Sequence, residues 1–141
     1  MKMKLYCCDT QLWLAQVNES IHNIRLSLAF KSAIFHTQVR LAKSQKKKTC
    51  AWHAIHNVDT TMNEHAHIYS LACDAYQRIH SAYPDGLELP QLLPQDLHVT
   101  TLVLGSEQTG QHNTQQSWIW SFGKTVADDG TWMNDCKLLY P

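Results

Sequence analysis

Apolar residues recur every three or four positions along two long stretches of the chain, which is the spacing of one face of an α-helix. The first stretch runs from about Asp9 to Lys43 without a Pro or a Gly. Asp9 or Thr10 can accept a backbone N–H bond at its start, and the helix would be roughly 50 Å long. Its apolar stripe consists of Leu14, Val17, Ile21, Ile24, Leu28, Phe35 and Val39.

The second stretch runs from about Thr49 to Ala82, with Thr49 as the expected N-cap and Pro84-Asp85-Gly86 as the stop. The two stretches are joined only by the polar residues 44–48. Two long helices with so short a connection should fold back as an antiparallel hairpin, stripe against stripe. The second stripe consists of Trp52, Ile55, Val58, Met62, Ala66, Tyr69, Cys73, Tyr76, Ile79 and Tyr83.

The regular spacing fades after Pro84. Pro94 is suited to the first position of a short helix with Asp96 in its first turn, and residues 105–116 form a polar loop. We expect the compact aromatic segment 117–120 to pack as a plug against the hairpin near its open end, and a last helix to begin at Trp132.

The predicted fold is therefore all-α, a long antiparallel two-helix hairpin followed by a partly irregular C-terminal segment with short helices. The pattern divides the chain into an N-terminal tail (1–8), the helical hairpin (9–83) and the C-terminal segment (84–141).

The formal net charge of zero hides a strong division along the chain of 141 residues. Residues 1–48 contain nine basic and two acidic residues, a net charge of +7, and residues 49–141 contain three basic and ten acidic residues, a net charge of −7. No apolar run approaches the roughly 20 residues that span a bilayer, so we expect no membrane partner. Five cysteines without Cys-x-x-Cys spacing favour an intracellular setting with reduced thiols.

Basic residues concentrate where the two helices meet. Side chains there could contact DNA phosphates without reading sequence, and the same run could serve as a nuclear-entry signal. A Lys-rich connection that is merely solvated is the competing interpretation, and the acidic remainder of the chain favours it. The candidate contact residues are Arg40, Lys43, Lys46, Lys47 and Lys48.

A possible metal set is Cys50-x-x-His53-x-x-His56, whose members lie three apart. On a helix they spread over about 120° and two turns, which is poor geometry for three ligands of one ion. Solvated or interhelical histidines explain the pattern better. The glycines of 105–110 have phosphate-loop spacing, but the Lys and Ser/Thr that must follow are absent, so we expect neither a cofactor nor catalysis.

Trp118, Trp120 and Trp132 admit two interpretations, a surface for base stacking or core filling. The area that each Trp can bury favours core filling.

The order of short motifs resembles the helical region downstream of the catalytic core in transposase-like proteins of the Kyakuja–Dileera–Zisupton group, in the cysteine-cluster-associated form of mushroom-forming fungi. The match covers about residues 19–137. The motifs are Lys31-Ser32, Thr37-x-Val39-Arg40, Gln45-Lys46, Ala51-Trp52, His65-Ala66-x-Ile68-Tyr69, Asp96-Leu97, Ser117-Trp118-Ile119-Trp120 and Trp132-Met133-Asn134.

The family's chemistry is DNA strand transfer by a ribonuclease-H-like core with three acids and divalent metal, and nothing in this chain corresponds to that core. The resemblance therefore transfers no catalytic residue, and the chain is expected to be a non-enzymatic fragment or degenerate reading frame of such an element. The leading hypothesis is a helical module that supports DNA handling or subunit contacts. The alternatives are a coiled-coil-like module that self-associates through the stripe residues Val17, Ile24, Met62 and Tyr69, and the metal site described above.

Overall fold

A computed structural model describes residues 2–81, 88–98 and 117–123, with the side chains of 2–7 excepted. Two long helices dominate it, α1 over Lys2–Ile34 and α2 over Gln45–His80, with a π-helical turn, Phe35–Val39, between them. Short 3₁₀ helices follow at Pro94–Leu97 and Trp118–Trp120. No β-strand occurs among these residues, so the predicted all-α hairpin is confirmed.

The first helix begins at Lys2, well before the expected cap at Asp9 or Thr10. Residues 2–8 therefore continue α1, and the prediction that they form a separate tail is wrong. The physical reason is that Met, Lys and Leu are good helix formers and nothing in this stretch stops a helix.

The first helix also ends earlier than the predicted Lys43. After Ile34 the hydrogen bonding changes to the π pattern, in which the Arg40 N–H donates to the Phe35 carbonyl at 3.1 Å. Single π-helical turns are rare in proteins, and those that occur are often found at functional sites.

The N-cap of α2 is Ser44, and the prediction of Thr49 is wrong. Ser44 has an extended backbone and its Oγ accepts the Lys47 N–H at 3.3 Å. Thr49 instead donates its hydroxyl to the Gln45 carbonyl within the helix. Ser is among the best capping residues, and Gln and Lys are good helix formers, so the supposed linker 44–48 supplies the cap and first turn of α2.

Contacts between the helices run in opposite chain directions. Lys31 Nζ lies 2.6 Å from Asp59 Oδ1, and nearer the connection the ring of Phe35 packs against that of Trp52. We call residues 35–52, whose two ends meet in this ring contact, the hairpin tip. The buried core between the helices consists of Val17, Ile21, Ile24 and Leu28 of α1 with Met62, Tyr69, Ala72, Cys73 and Tyr76 of α2.

The later segments lie against the hairpin. The Tyr69 hydroxyl donates to the Pro90 carbonyl at 2.6 Å, and Ile119 is fully buried in the same core. A Cβ placed on Gly123 would lie 3.9 Å from Asn18 Oδ1, which puts this segment beside the middle of α1. The predicted Pro94 helix and the aromatic plug are both confirmed. The expected polar loop 105–116 and the last helix from Trp132 lie outside the described residues.

Candidate nucleic-acid interface

The hairpin tip presents all five of the predicted contact residues to solvent. Arg40 and Lys43 lie in the connection that links the two helices, and three consecutive lysines lie in the first turn of α2. Among the described residues the four lysines have no ion-pair or hydrogen-bond partner for their ammonium groups, and Arg40 Nη1 lies 3.4 Å from His36 Nδ1. The residues are Arg40, Lys43, Lys46, Lys47 and Lys48.

Two basic residues farther back in α1, Arg25 and Lys31, have structural partners. Arg25 donates from Nε to the Ile119 carbonyl at 2.6 Å and from Nη2 to the Phe122 carbonyl at 2.5 Å. Burial lowers the pKa of the Arg25 guanidinium, which stays charged because arginine titrates far above neutral pH. Lys31 is paired with Asp59. Among the described cationic side chains of residues 8–48, the structure thus separates Arg25 and Lys31, which have protein partners, from a solvent-exposed cluster at the tip.

The lysine charges at the start of α2 are unfavourable for this helix when it is considered on its own. The N-terminal end of a helix is positive, so lysines there cost about 0.3–1 kcal/mol each, and the first turn of α2 contains no acidic residue to offset them. The sequence from Ser20 to Val58 contains neither Asp nor Glu. The ends of α1 and α2 bring opposite dipole ends together, so the net positive charge of the tip comes from its side chains.

Successive residues of a helix lie about 100° apart around its axis, so the three adjacent lysines fan over roughly 200°. They surround the end of α2 and do not form a stripe along one side. This arrangement suits a phosphate backbone that crosses the tip, and it does not suit a helix lying lengthwise in a groove.

Trp52 is the residue that the sequence pattern misplaced. It was expected in the apolar stripe, but the buried residue at this level is Ala51, and Trp52 is 48 % exposed. Its ring meets Phe35 edge to face, with centroids 5.5 Å apart and planes at 86°. Because Lys48 and Trp52 are four apart on α2, their side chains are neighbours on one exposed face. The adjacency of small Ala51 to large Trp52 was the signal that the stripe could pass through either residue.

The hypothetical metal set is dispersed along α2. Cys50, His53 and His56 are all exposed, and no group of three or more His, Cys, Asp or Glu side chains within the described residues is arranged to hold an ion. The helical spread predicted from the spacing accounts for this. The buried Nε2 atom of His36, in the π-helical turn, has no hydrogen-bond partner within the described part of the chain.

The stripe residues proposed for self-association are not available to a second chain. Val17, Ile24, Met62 and Tyr69 are at most 4 % exposed, because each helix already covers the stripe of the other. Pairing through them would require the hairpin to open, so the expectation that these four residues are exposed is wrong. The tryptophans Trp118 and Trp120 are partly buried against the same core, which agrees with core filling, whereas Trp132 lies outside the described residues.

A second surface is an open groove of about 350 Å³ between α1 and α2. Phe30, which is 53 % exposed, lines it together with the apolar side chains of Leu26 and Val58. Polar side chains, among them Asn23, Asn57 and His65, complete the lining. The groove can therefore accept a bulky apolar group and offer it polar neighbours.

No helix in the described ranges is both long and apolar enough to cross a membrane. Comparison of the chain with protein-family models, with curated proteins and with solved structures found no match.

Proposed function

We propose that this chain is a non-catalytic helical module that binds DNA through the phosphates, using the hairpin tip. The observation on which the proposal rests is the cluster of five exposed cations at the tip, described above, of which the four lysines lack partners among the described residues. The resemblance to the helical region of fungal transposase-like proteins supports the same role. The proposal places the chain in the nucleus.

The unfavourable charge arrangement at the start of α2 is a second support. A sequence under selection for helix stability alone would place acids at this position, whereas the chain has consecutive lysines. A polyanion that binds at the tip would remove this electrostatic cost, because its phosphates supply the negative charge that the first turn lacks. Departures from local stability rules are expected at functional sites.

The test is duplex-DNA binding measured by fluorescence anisotropy across a salt series. Because each neutralised phosphate contributes about −0.9 to the slope of log K against log salt, contact by four or five cations predicts a slope of about −4. Replacing Lys46, Lys47 and Lys48 by Gln should reduce the magnitude of the slope by up to about 2.7. Circular dichroism would show whether the variant keeps its helices.

A matched control compares one exposed cation at each end of α2. Lys47→Gln should weaken duplex binding and lower the salt slope by about 0.9, whereas Arg78→Gln, in the last turn of α2, should change neither. Absence of binding by the unaltered chain to both duplex and single-stranded DNA at low salt would refute the proposed function. Equal effects of the two substitutions would show binding that is not located at the tip.

A second candidate function is self-association through the groove beside Phe30. The groove and the half-exposed ring belong to the same face, so two copies related by a twofold axis could each insert Phe30 into the groove of the other. Sedimentation equilibrium should then show a dimer that Phe30→Ala dissociates and that Leu41→Ala, at the exposed tip, leaves intact. A monomer across the accessible concentration range would exclude this candidate.

A further inference from the structure

The exposed face of α2 at the tip combines an aromatic ring with cations. Lys48, Trp52 and His56 follow one another at intervals of four residues, and all three are exposed. Side chains at this spacing lie in a row with Cβ atoms about 5–6 Å apart. A positive group beside an exposed indole is the combination with which proteins bind unpaired nucleotides, since the cation attracts phosphate and the ring stacks on a base.

The contact with Phe35 positions the Trp52 ring without covering both of its faces. In an edge-to-face pair, one ring turns its edge to the face of the other. Whichever ring supplies the edge, Phe35 covers at most one of the two indole faces, and the remaining exposure of Trp52 is consistent with a free face. The indole is thus held in place before any ligand arrives, which lowers the entropy cost of stacking.

We infer that the hairpin tip binds single-stranded DNA, with an unpaired base stacked on Trp52 and the adjoining phosphates held by Lys48 and its neighbours. The inference rests on the proposed function and narrows its substrate class. A paired base inside a duplex shows only its edge in the grooves, so Trp52 cannot stack on it, and the ring should favour unpaired over paired DNA. Charge complementarity supports this occupant, because no acidic residue occurs from Ser20 to Val58.

The experiment compares a labelled oligothymidylate with a duplex of equal length at one salt concentration. Trp52→Leu should weaken oligothymidylate binding by roughly 5- to 150-fold, the value of one base stack, and should leave duplex binding within about twofold. Trp52→Phe should recover part of the loss, since a smaller aromatic ring still stacks. Leu41→Ala is the matched control, because Leu41 is a 70 % exposed apolar residue of the same tip and should have no effect.

A readout independent of the Leu variant is intrinsic fluorescence. Oligothymidylate should quench the emission of the unaltered chain, and Trp52→Phe should abolish most of that quenching, because Trp13, Trp118 and Trp120, the other tryptophans among the described residues, lie outside the hairpin tip.

The outcomes separate the inference from the proposed function. If the triple lysine variant loses binding to both nucleic acids but Trp52→Leu alters neither, the inference is overturned and DNA binding at the tip stands. Equal losses with Trp52→Leu and Leu41→Ala would also overturn it, since a nonspecific apolar contact would suffice. Absence of binding to both probes at low salt overturns both proposals.

Discussion

The indole Nε1–H of Trp118 donates a hydrogen bond to Asp96 Oδ2 at 3.2 Å, which joins the 3₁₀ helix Pro94–Leu97 to the aromatic helix Trp118–Trp120. The same carboxylate accepts the Ser117 hydroxyl at 3.0 Å and the Leu93 backbone N–H at 3.0 Å. Three donors thus converge on one acceptor. A carboxylate has room for all of them because each oxygen offers two lone pairs.

Removing this acceptor should loosen both C-terminal segments. Asp96→Ala leaves the three donors without their partner, and we expect the free energy of unfolding to fall by about 1–3 kcal/mol. Urea denaturation measures the change. Asp74→Ala, at an exposed position of α2, is the control and should stay within about 0.5 kcal/mol of the unaltered chain. Equal stability of the two variants would mean that Asp96 does not hold the segments together.

Arg25 is expected to attach the aromatic helix to α1. Arg25→Leu leaves the carbonyls of Ile119 and Phe122 without their donor, and unfolding should become easier by about 1–3 kcal/mol. Arg25→Lys should recover only part of the loss, because an ammonium lacks the planar fork that reaches two carbonyls. Thermal denaturation followed at the tryptophan emission provides the measurement. Full recovery by Lys would show that charge alone is sufficient.

Replacing Lys31 should change the stability of the fold, whereas replacing a tip lysine should change DNA binding. A double-mutant cycle of Lys31→Gln and Asp59→Asn should give a coupling of about 0.5–1 kcal/mol, since the pair is only partly buried. Lys31→Gln should leave the salt slope of duplex binding unchanged, whereas Lys47→Gln should reduce it. A reduced slope with Lys31→Gln would show that the DNA contact extends beyond the tip.

Tyr69 should make stability depend on alkaline pH. Burial raises the pKa of the Tyr69 phenol, and its neighbour Cys73 raises it further. Above the ordinary tyrosine pKa of about 10 the unfolded chain loses this proton and the folded chain keeps it, so stability falls as pH rises, by up to about 1.4 kcal/mol per pH unit. This stability is fully present below pH of about 10 and is lost toward the raised folded pKa.

The measurement is urea denaturation at a series of pH values. Tyr69→Phe should flatten the alkaline decline relative to the unaltered chain and cost about 1 kcal/mol at neutral pH, the hydrogen bond to Pro90 being lost. Tyr76→Phe is the matched control, because Tyr76 is a second buried tyrosine of α2. An unchanged decline in Tyr69→Phe would contradict the predicted linkage.

The thiols should differ in reactivity. Burial raises the pKa of the Cys73 thiol, and the neighbouring charge of Asp74 adds to the increase. Cys50 is exposed on the same helix. Iodoacetamide at pH of about 8 should therefore alkylate Cys50 at least about tenfold faster than Cys73, since the thiolate is the reactive form. Peptide mass mapping over time gives both rates, and urea should abolish the difference.

The hydrophobic spacing predicted the two long helices, the short connection between them predicted their antiparallel pairing, and Pro94 with Asp96 predicted the short helix. These features could do so because periodicity and short connections are local properties of a sequence. The boundaries required more. Whether Ser44 or Thr49 caps α2 depends on where the hairpin turns, and both residues are acceptable caps.

The candidate site was predicted in part. The cluster of lysines is visible in the sequence, but only tertiary packing shows that Arg25 and Lys31 are occupied by partners while Lys46, Lys47 and Lys48 remain exposed. A hydrogen bond between residues 94 positions apart leaves no periodic trace in the sequence.

The exposure of Trp52 was likewise decided by the tertiary structure. Ala51 and Trp52 differ by about 100° around α2, and the helical period allows either one to face α1. Close packing of the helices selected the small Ala51 and turned the large indole outward, where it meets the ring of Phe35 edge to face. The sequence determined that this chain forms a hairpin with a cationic tip. The packing of one helix on the other decided which of its side chains a partner can contact.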